Sequence, residues 1–88
     1  MEFTKVECSF AVREKLYAKH GVEESEVHEA LFGHSHVRRG HAGLHQVYGR
    51  TDAGRYLFIL VRDLGAGRVR VVTARDMTMQ ERRRYGRR

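Results

Sequence analysis

Tyr56 to Val61 is a run of six consecutive apolar residues in a chain of 88, and a turn signal bounds it on each side, Thr51-Asp52-Ala53-Gly54 before and Leu64-Gly65-Ala66-Gly67 after. A run so short and so bounded predicts a strand apolar on both faces, the centre of a sheet. Its neighbours are legible too. Leu44, Val47 and Tyr48 lie in a run leading to Arg50, and Arg68 to Arg75 alternates. Strict alternation there puts Val69, Val71, Thr73 and Arg75 on one face and Arg68, Arg70, Val72 and Ala74 on the other. Three antiparallel strands follow.

The first part of the chain has a different period. Phe3 to Glu7 alternates weakly and predicts a short edge strand. Ser9 then caps a helix whose stripe is Val12, Leu16 and His20, ending at Gly21. Glu23 to Phe32 predicts a second helix, with Glu23, Glu24 and Glu26 near its positive end, Val27, Ala30 and Leu31 on one face, and Gly33 as terminator. The pair reads as an αα-hairpin. At the other end, Thr78-Met79-Gln80-Glu81 is a capping box, with Thr78 as N-cap and Glu81 at the third helical position, opening a short C-terminal helix through about Tyr85. The order is βααβββα: an α+β fold, with an antiparallel sheet of three to four strands.

Length and charge narrow the classes of function. Residues 1–88 make one domain, and a chain this short buries only about 60–65% of its unfolded surface, so a partner can add to its stability. The net charge of +6 lies wholly in the last 21 residues, Arg68 to Arg88, where eight arginines face only Asp76 and Glu81. The first 67 are neutral, with nine basic and nine acidic side chains. A cationic cluster of that kind suits a polyanion, because the arginine fork matches phosphate geometry and a focused field speeds encounter. A solvated basic tail is the plainer reading. The lone Cys8 excludes an internal disulfide and fits a reducing compartment. No secretion signal opens the chain, no stretch reaches the roughly 20 apolar residues that span a bilayer, and no repeat or linker divides it. The expectation is a soluble, cytoplasmic protein.

His34, His36, His41 and His45 invite a metal reading, in which three imidazoles meet one ion. No Asp, Glu or Cys lies between His34 and Arg50 to complete a usual ligand set, and Arg38 and Arg39 would repel a cation. The expectation is therefore no metal and no cofactor. A histidine-rich surface hairpin touching RNA is the alternative, with His45 as a possible acid or base.

Several segments together resemble one family. Lys19-His20-Gly21-Val22, Tyr48-Gly49-Arg50, the strand Arg55 to Val61, and above all Thr73-Ala74-Arg75-Asp76-Met77-Thr78-Met79-Gln80-Glu81-Arg82-Arg83-Arg84-Tyr85 are similar to the BrnT family over about residues 6 to 85. The resemblance implies a RelE-like fold and a toxin of a type II toxin–antitoxin system. It further implies a small ribonuclease that inhibits translation until an antitoxin, a small DNA-binding protein, blocks it. The chain departs from the family at its start, where Val6-Glu7-Cys8-Ser9 replaces a Phe-x-Trp-Asp strand-to-helix opening.

Cleavage of RNA by its own 2′-hydroxyl needs a proton acceptor, cations for the phosphorane charge and a donor for the leaving oxygen. Arg75, at the end of a strand, is the candidate for gripping the scissile phosphate bidentately, with Arg50 approaching from a neighbouring strand. Arg82 and Tyr85 share a helix face. Glu81 reads as a general base or simply as a capping residue. His20 is either an inward-facing histidine on the Val12–Leu16 stripe or an acid or base, and Tyr85 packs, stacks a base or donates a proton. Lys19, Arg70, Arg83 and Arg84 would add contacts to RNA, as would Arg87 and Arg88. The competing reading is a non-catalytic module that binds nucleic acid or an antitoxin through the same arginines.

Overall fold

A computed structural model describes residues 2–86; the Arg87 and Arg88 contribution expected above lies outside them. The elements run β1 (Lys5–Glu7), α1 (Phe10–His20), α2 (Glu24–Phe32), β2 (His36–Arg39), β3 (Leu44–Arg50), β4 (Tyr56–Gly65), β5 (Arg68–Asp76) and α3 (Met79–Tyr85). Among the described residues the strands form one five-stranded sheet in the order β1-β5-β4-β3-β2. The apolar run is its centre, as expected. The sheet is mixed, however, because β1 pairs parallel with β5. It is also one strand wider than four. The unforeseen β2 has a single apolar residue, Val37, and pairs only with β3, so its strand state comes from the edge it completes.

Local signals account for the helices. The Ser9 side chain accepts from the Val12 amide at 3.2 Å, and Gly21 closes α1 in the left-handed region at φ 60°. Glu23 caps α2 through a capping box with Glu26. The helices do not make the expected αα-hairpin. Each lies chiefly on the sheet, α1 across β5 and α2 across β3 and β4, because their apolar residues Leu16, Val27, Ala30 and Leu31 point at the strands. Backbone approach is closest at Gly49, where any Cβ would sit 2.3 Å from the Ala30 carbonyl oxygen. His20 leaves the stripe: it is exposed, and the buried place beyond Leu16 goes to Val22, which the turn at Gly21 folds inward.

One side of the sheet, covered by α1 and α2, holds the core residues Val47, Leu57, Ile59, Val61, Val69, Val71 and Ala74. The other side carries Tyr48, Arg50, Tyr56 and Phe58, and α3 leans on it through Tyr85 and Arg82 against Tyr56. What brings Arg75 there is an irregularity. Val71 pairs with Val61 and Thr73 with Leu60, which leaves Val72 unpaired as a bulge. Alternation reverses beyond it. Ala74 is therefore buried with Val69 and Val71, while Arg75 pairs with Phe58 on the open face. The strict alternation read from the sequence put Arg75 on the face of Val71, and the bulge overturns that.

Candidate nucleic-acid interface

The open face is built on three aromatic rings in adjacent register. Tyr48 of β3 stands opposite Phe58 of β4 with ring centroids 5.5 Å apart, and Arg50 stands opposite Tyr56. Such cross-strand neighbours are held at contact distance by the ladder itself. Guanidiniums then lie on the rings: Arg75 sits 4.2 Å from the Phe58 centroid, Arg82 4.4 Å and Arg50 5.2 Å from that of Tyr56. Two cations share one ring. Neither Arg50 nor Arg82 has a carboxylate partner among the described residues, so the Tyr56 ring is the contact that holds both charges.

Helix α3 presents Arg82 and Tyr85 from above. Its capping box forms as expected: the Thr78 hydroxyl accepts from the Glu81 amide at 3.1 Å, and a Glu81 carboxylate oxygen accepts from the Thr78 amide at 2.9 Å. No side chain of α3 is buried. Polar and aromatic contacts hold it down instead. The Tyr85 ring meets Tyr56 edge-on, with centroids 6.0 Å apart, and its hydroxyl donates to the His34 carbonyl. Partial burial raises the Tyr85 phenol above its ordinary range.

Glu81 also grips Arg75. Arg75 Nη1 and Nη2 donate to the two carboxylate oxygens at 2.8 and 3.1 Å, a fork-on-fork pair. That hydrogen bonding holds the Glu81 carboxyl below the usual range, and the Thr78 amide adds to it. Arg75 is raised by the same contact. Tyr85 forms a wall between two clefts. One, of about 570 Å³, is lined by His36, Arg38, Tyr48, Glu81, Arg84 and Tyr85; the other, of about 740 Å³, by His34, Arg50, Asp52, Tyr56 and Tyr85.

Of the residues singled out from sequence, the fold brings Arg50, Arg75, Arg82, Tyr85 and Glu81 together, with Arg84 at the rim of the first cleft. Arg83 is exposed on α3. Arg70 is nearer the start of β5, where it pairs with Glu7 at 3.4 Å. Lys19 and His20 end α1 on the helix side of the sheet. The His20 carbonyl accepts from Arg55, and its neighbour across the turn is Asp76 rather than the arginine cluster.

The histidines disperse as well. His45 is buried on the core side, its Nδ1 accepting from the Gly40 amide at 3.2 Å and its Nε2 3.4 Å from Asp63, so it faces away from Arg50. Among the described residues no three His, Cys, Asp or Glu side chains converge as a metal site.

Two features were missed. The aromatic floor of Tyr48, Tyr56 and Phe58 was absorbed into the apolar pattern, although the shared parity of Tyr56 and Phe58 in β4 was available to mark one aromatic face. Arg55 had no local signal. It donates to both Asp76 oxygens at 2.7 and 3.0 Å, to the His20 and Gly21 carbonyls at 2.9 Å each, and to Glu26 at 3.1 Å. It thereby ties the end of α1, the start of α2 and the end of β5 into one corner, and the Asp76 carboxyl is driven below its usual range chiefly by Arg55.

An α+β sheet with two helices on one face and a capped basic helix on the other defines a fold class already represented among solved structures. The Brucella abortus ribonuclease toxin BrnT superposes with a TM-score of 0.70, covering 86% of this chain and 99% of that one, at 17% sequence identity. The likeness is one of fold, and it is the fold implied by the resemblance in the C-terminal segment. No protein-family model and no curated protein sequence matches the chain. Among the described residues no helix is long and apolar enough to cross a membrane.

Proposed function

We propose that this chain is the toxin of a type II toxin–antitoxin system: a single-domain, cytoplasmic endoribonuclease that cleaves single-stranded RNA without a metal or cofactor and so inhibits translation. The observation that carries the reading is the Arg50–Arg82 pair on Tyr56, two guanidiniums with no carboxylate partner among the described residues, beside Arg75 on Phe58. Such an arrangement is suited to a phosphodiester. The rings hold the guanidiniums in place, the cations take the phosphate, and charge gathering on the phosphorane oxygens is stabilised without reorganisation. The fold shared with a ribonuclease toxin supports the same reading. A small DNA-binding antitoxin would neutralise the chain by covering this face.

In the reaction, the 2′-hydroxyl loses its proton and attacks the adjacent phosphorus, and the 5′-oxygen leaves with a proton. Arg50 and Arg82 would hold the non-bridging oxygens, with Arg75 at their flank. Purified chain should therefore yield fragments ending in a 2′,3′-cyclic phosphate, unaffected by EDTA and lost in Arg50→Ala and Arg82→Ala. Fragments that vanish with EDTA would overturn the metal-free part.

A second reading has its own observation. The groups best suited to move protons are engaged: Glu81 by Arg75 and Thr78, and the Tyr85 hydroxyl by His34. A non-catalytic module would use the same face to bind RNA or an antitoxin, and intact RNA recovered from a tight complex would favour it.

A further inference from the structure

The Arg75 fork is the geometry expected for gripping a phosphate, and it is filled by the chain itself. Both terminal nitrogens donate to the two oxygens of Glu81, at 2.8 and 3.1 Å, while the guanidinium carbon sits 4.2 Å from the centre of the Phe58 ring. A phosphodiester presents the same edge of two anionic oxygens. The pair is only part-buried, with the Arg75 and Glu81 side chains 37% and 22% exposed, so solvent and an incoming anion can reach it.

Glu81 can also leave at the loss of only one half of the capping box, the bond from the Thr78 amide to its carboxylate. The Thr78 hydroxyl accepts from the Glu81 backbone amide, a bond that does not involve the carboxylate. The freed side chain has cations to go to, since Arg38 and Arg84 line the same cleft. We propose that Glu81 is an internal stand-in for the substrate phosphate: RNA binds by exchanging a backbone phosphate for the Glu81 carboxylate in the Arg75 fork. This rests on the RNA reading above and adds a selection rule to it. A lone phosphate must displace Glu81 unaided, whereas a strand that also engages Arg50 and Arg82 on Tyr56 brings several contacts to the exchange.

Glu81→Gln isolates the charge, because glutamine serves a capping box as well as glutamate does. The probe is a single-stranded 2′-O-methyl oligonucleotide, which cannot be cleaved. Glu81→Gln should bind it about two- to fivefold more tightly than wild type, the range for releasing one partly exposed ion pair. In an Arg75→Ala background the same substitution should change affinity little, since no fork remains to be freed.

A gain of equal size without Arg75 would mean a general effect of net charge, and no gain in either background would mean that Glu81 does not compete. Both outcomes overturn the exchange while leaving RNA binding intact. Wild-type protein that fails to bind the oligonucleotide even at low salt would remove the RNA reading together with the exchange. The wild-type chain supplies a check that needs no substitution: the carboxyl-carbon NMR resonance of Glu81 should shift on RNA binding as the Arg75 contact is lost. An unmoved resonance in a saturated complex would also overturn it.

Discussion

At the scale of single residues, arginines in this chain divide by what they face. Arg55 is structural: it satisfies the end of α1 and two carboxylates at once. Arg55→Ala should destabilise the fold by about 2–3 kcal/mol at neutral pH, the range for stranding charged and carbonyl partners. The sign of its pH dependence follows from Asp76, whose carboxyl is depressed chiefly by Arg55. A depressed carboxyl stabilises the fold above its unfolded pKa and loses that contribution as pH falls through the folded one. The Arg55→Ala penalty should accordingly be full near pH 7 and shrink below about pH 4, which urea titrations across pH will show. Arg50 and Arg82 have no such structural duty. Arg50→Ala should lower the cleavage rate by about a hundred- to a thousandfold, with little change in thermal midpoint. Val71→Ala, in the core, should do the reverse, costing about 1–3 kcal/mol through a cavity.

At the scale of elements, two short devices aim the site. The capping box sets the first turn of α3, and Thr78→Ala should cost about 1 kcal/mol while loosening Arg82 and Tyr85 over Tyr56. Calorimetry together with RNA affinity will separate the two effects. The Val72 bulge is the other device, and it turns Arg75 toward the open face. Deleting Val72 takes out the extra residue and leaves strict alternation from Val71 through Thr73 and Ala74 to Arg75, so Ala74 should stay buried and Arg75 should stay opposite Phe58. The expected result is a variant that keeps its fold and its RNA affinity, read by circular dichroism and binding together. A deletion mutant that folds but loses RNA binding would show that the bulge itself, and not the parity it resolves, positions Arg75.

At the scale of the whole molecule, charge and shape meet where Arg50, Arg75 and Arg82 gather on the face that the first two helices leave open. About five phosphate contacts there predict a log–log salt slope near −3 to −4 for single-stranded RNA, and a flat salt response would remove the electrostatic basis of the reading. On the proposed reading, an antitoxin that covers this face should copurify with the chain and abolish RNA cleavage. The sequence by itself determined the elements whose causes are local: the two-sided β4 from its apolar run, the helix ends from Ser9, Gly21 and the Thr78–Glu81 box, and the basic C-terminal region from composition. It also held the resemblance that the shared fold bears out. Tertiary structure alone decided the rest. Edge strand β2 takes its state from β3, and the helices prefer the sheet to each other because the larger apolar surface is there. His20 is turned out at Gly21, Arg55 finds its partners far along the chain, and one unpaired residue reverses the face of Arg75. Each of these depends on what lies across a contact between distant parts of the chain, and alternation or capping read along the chain carries no record of that neighbour.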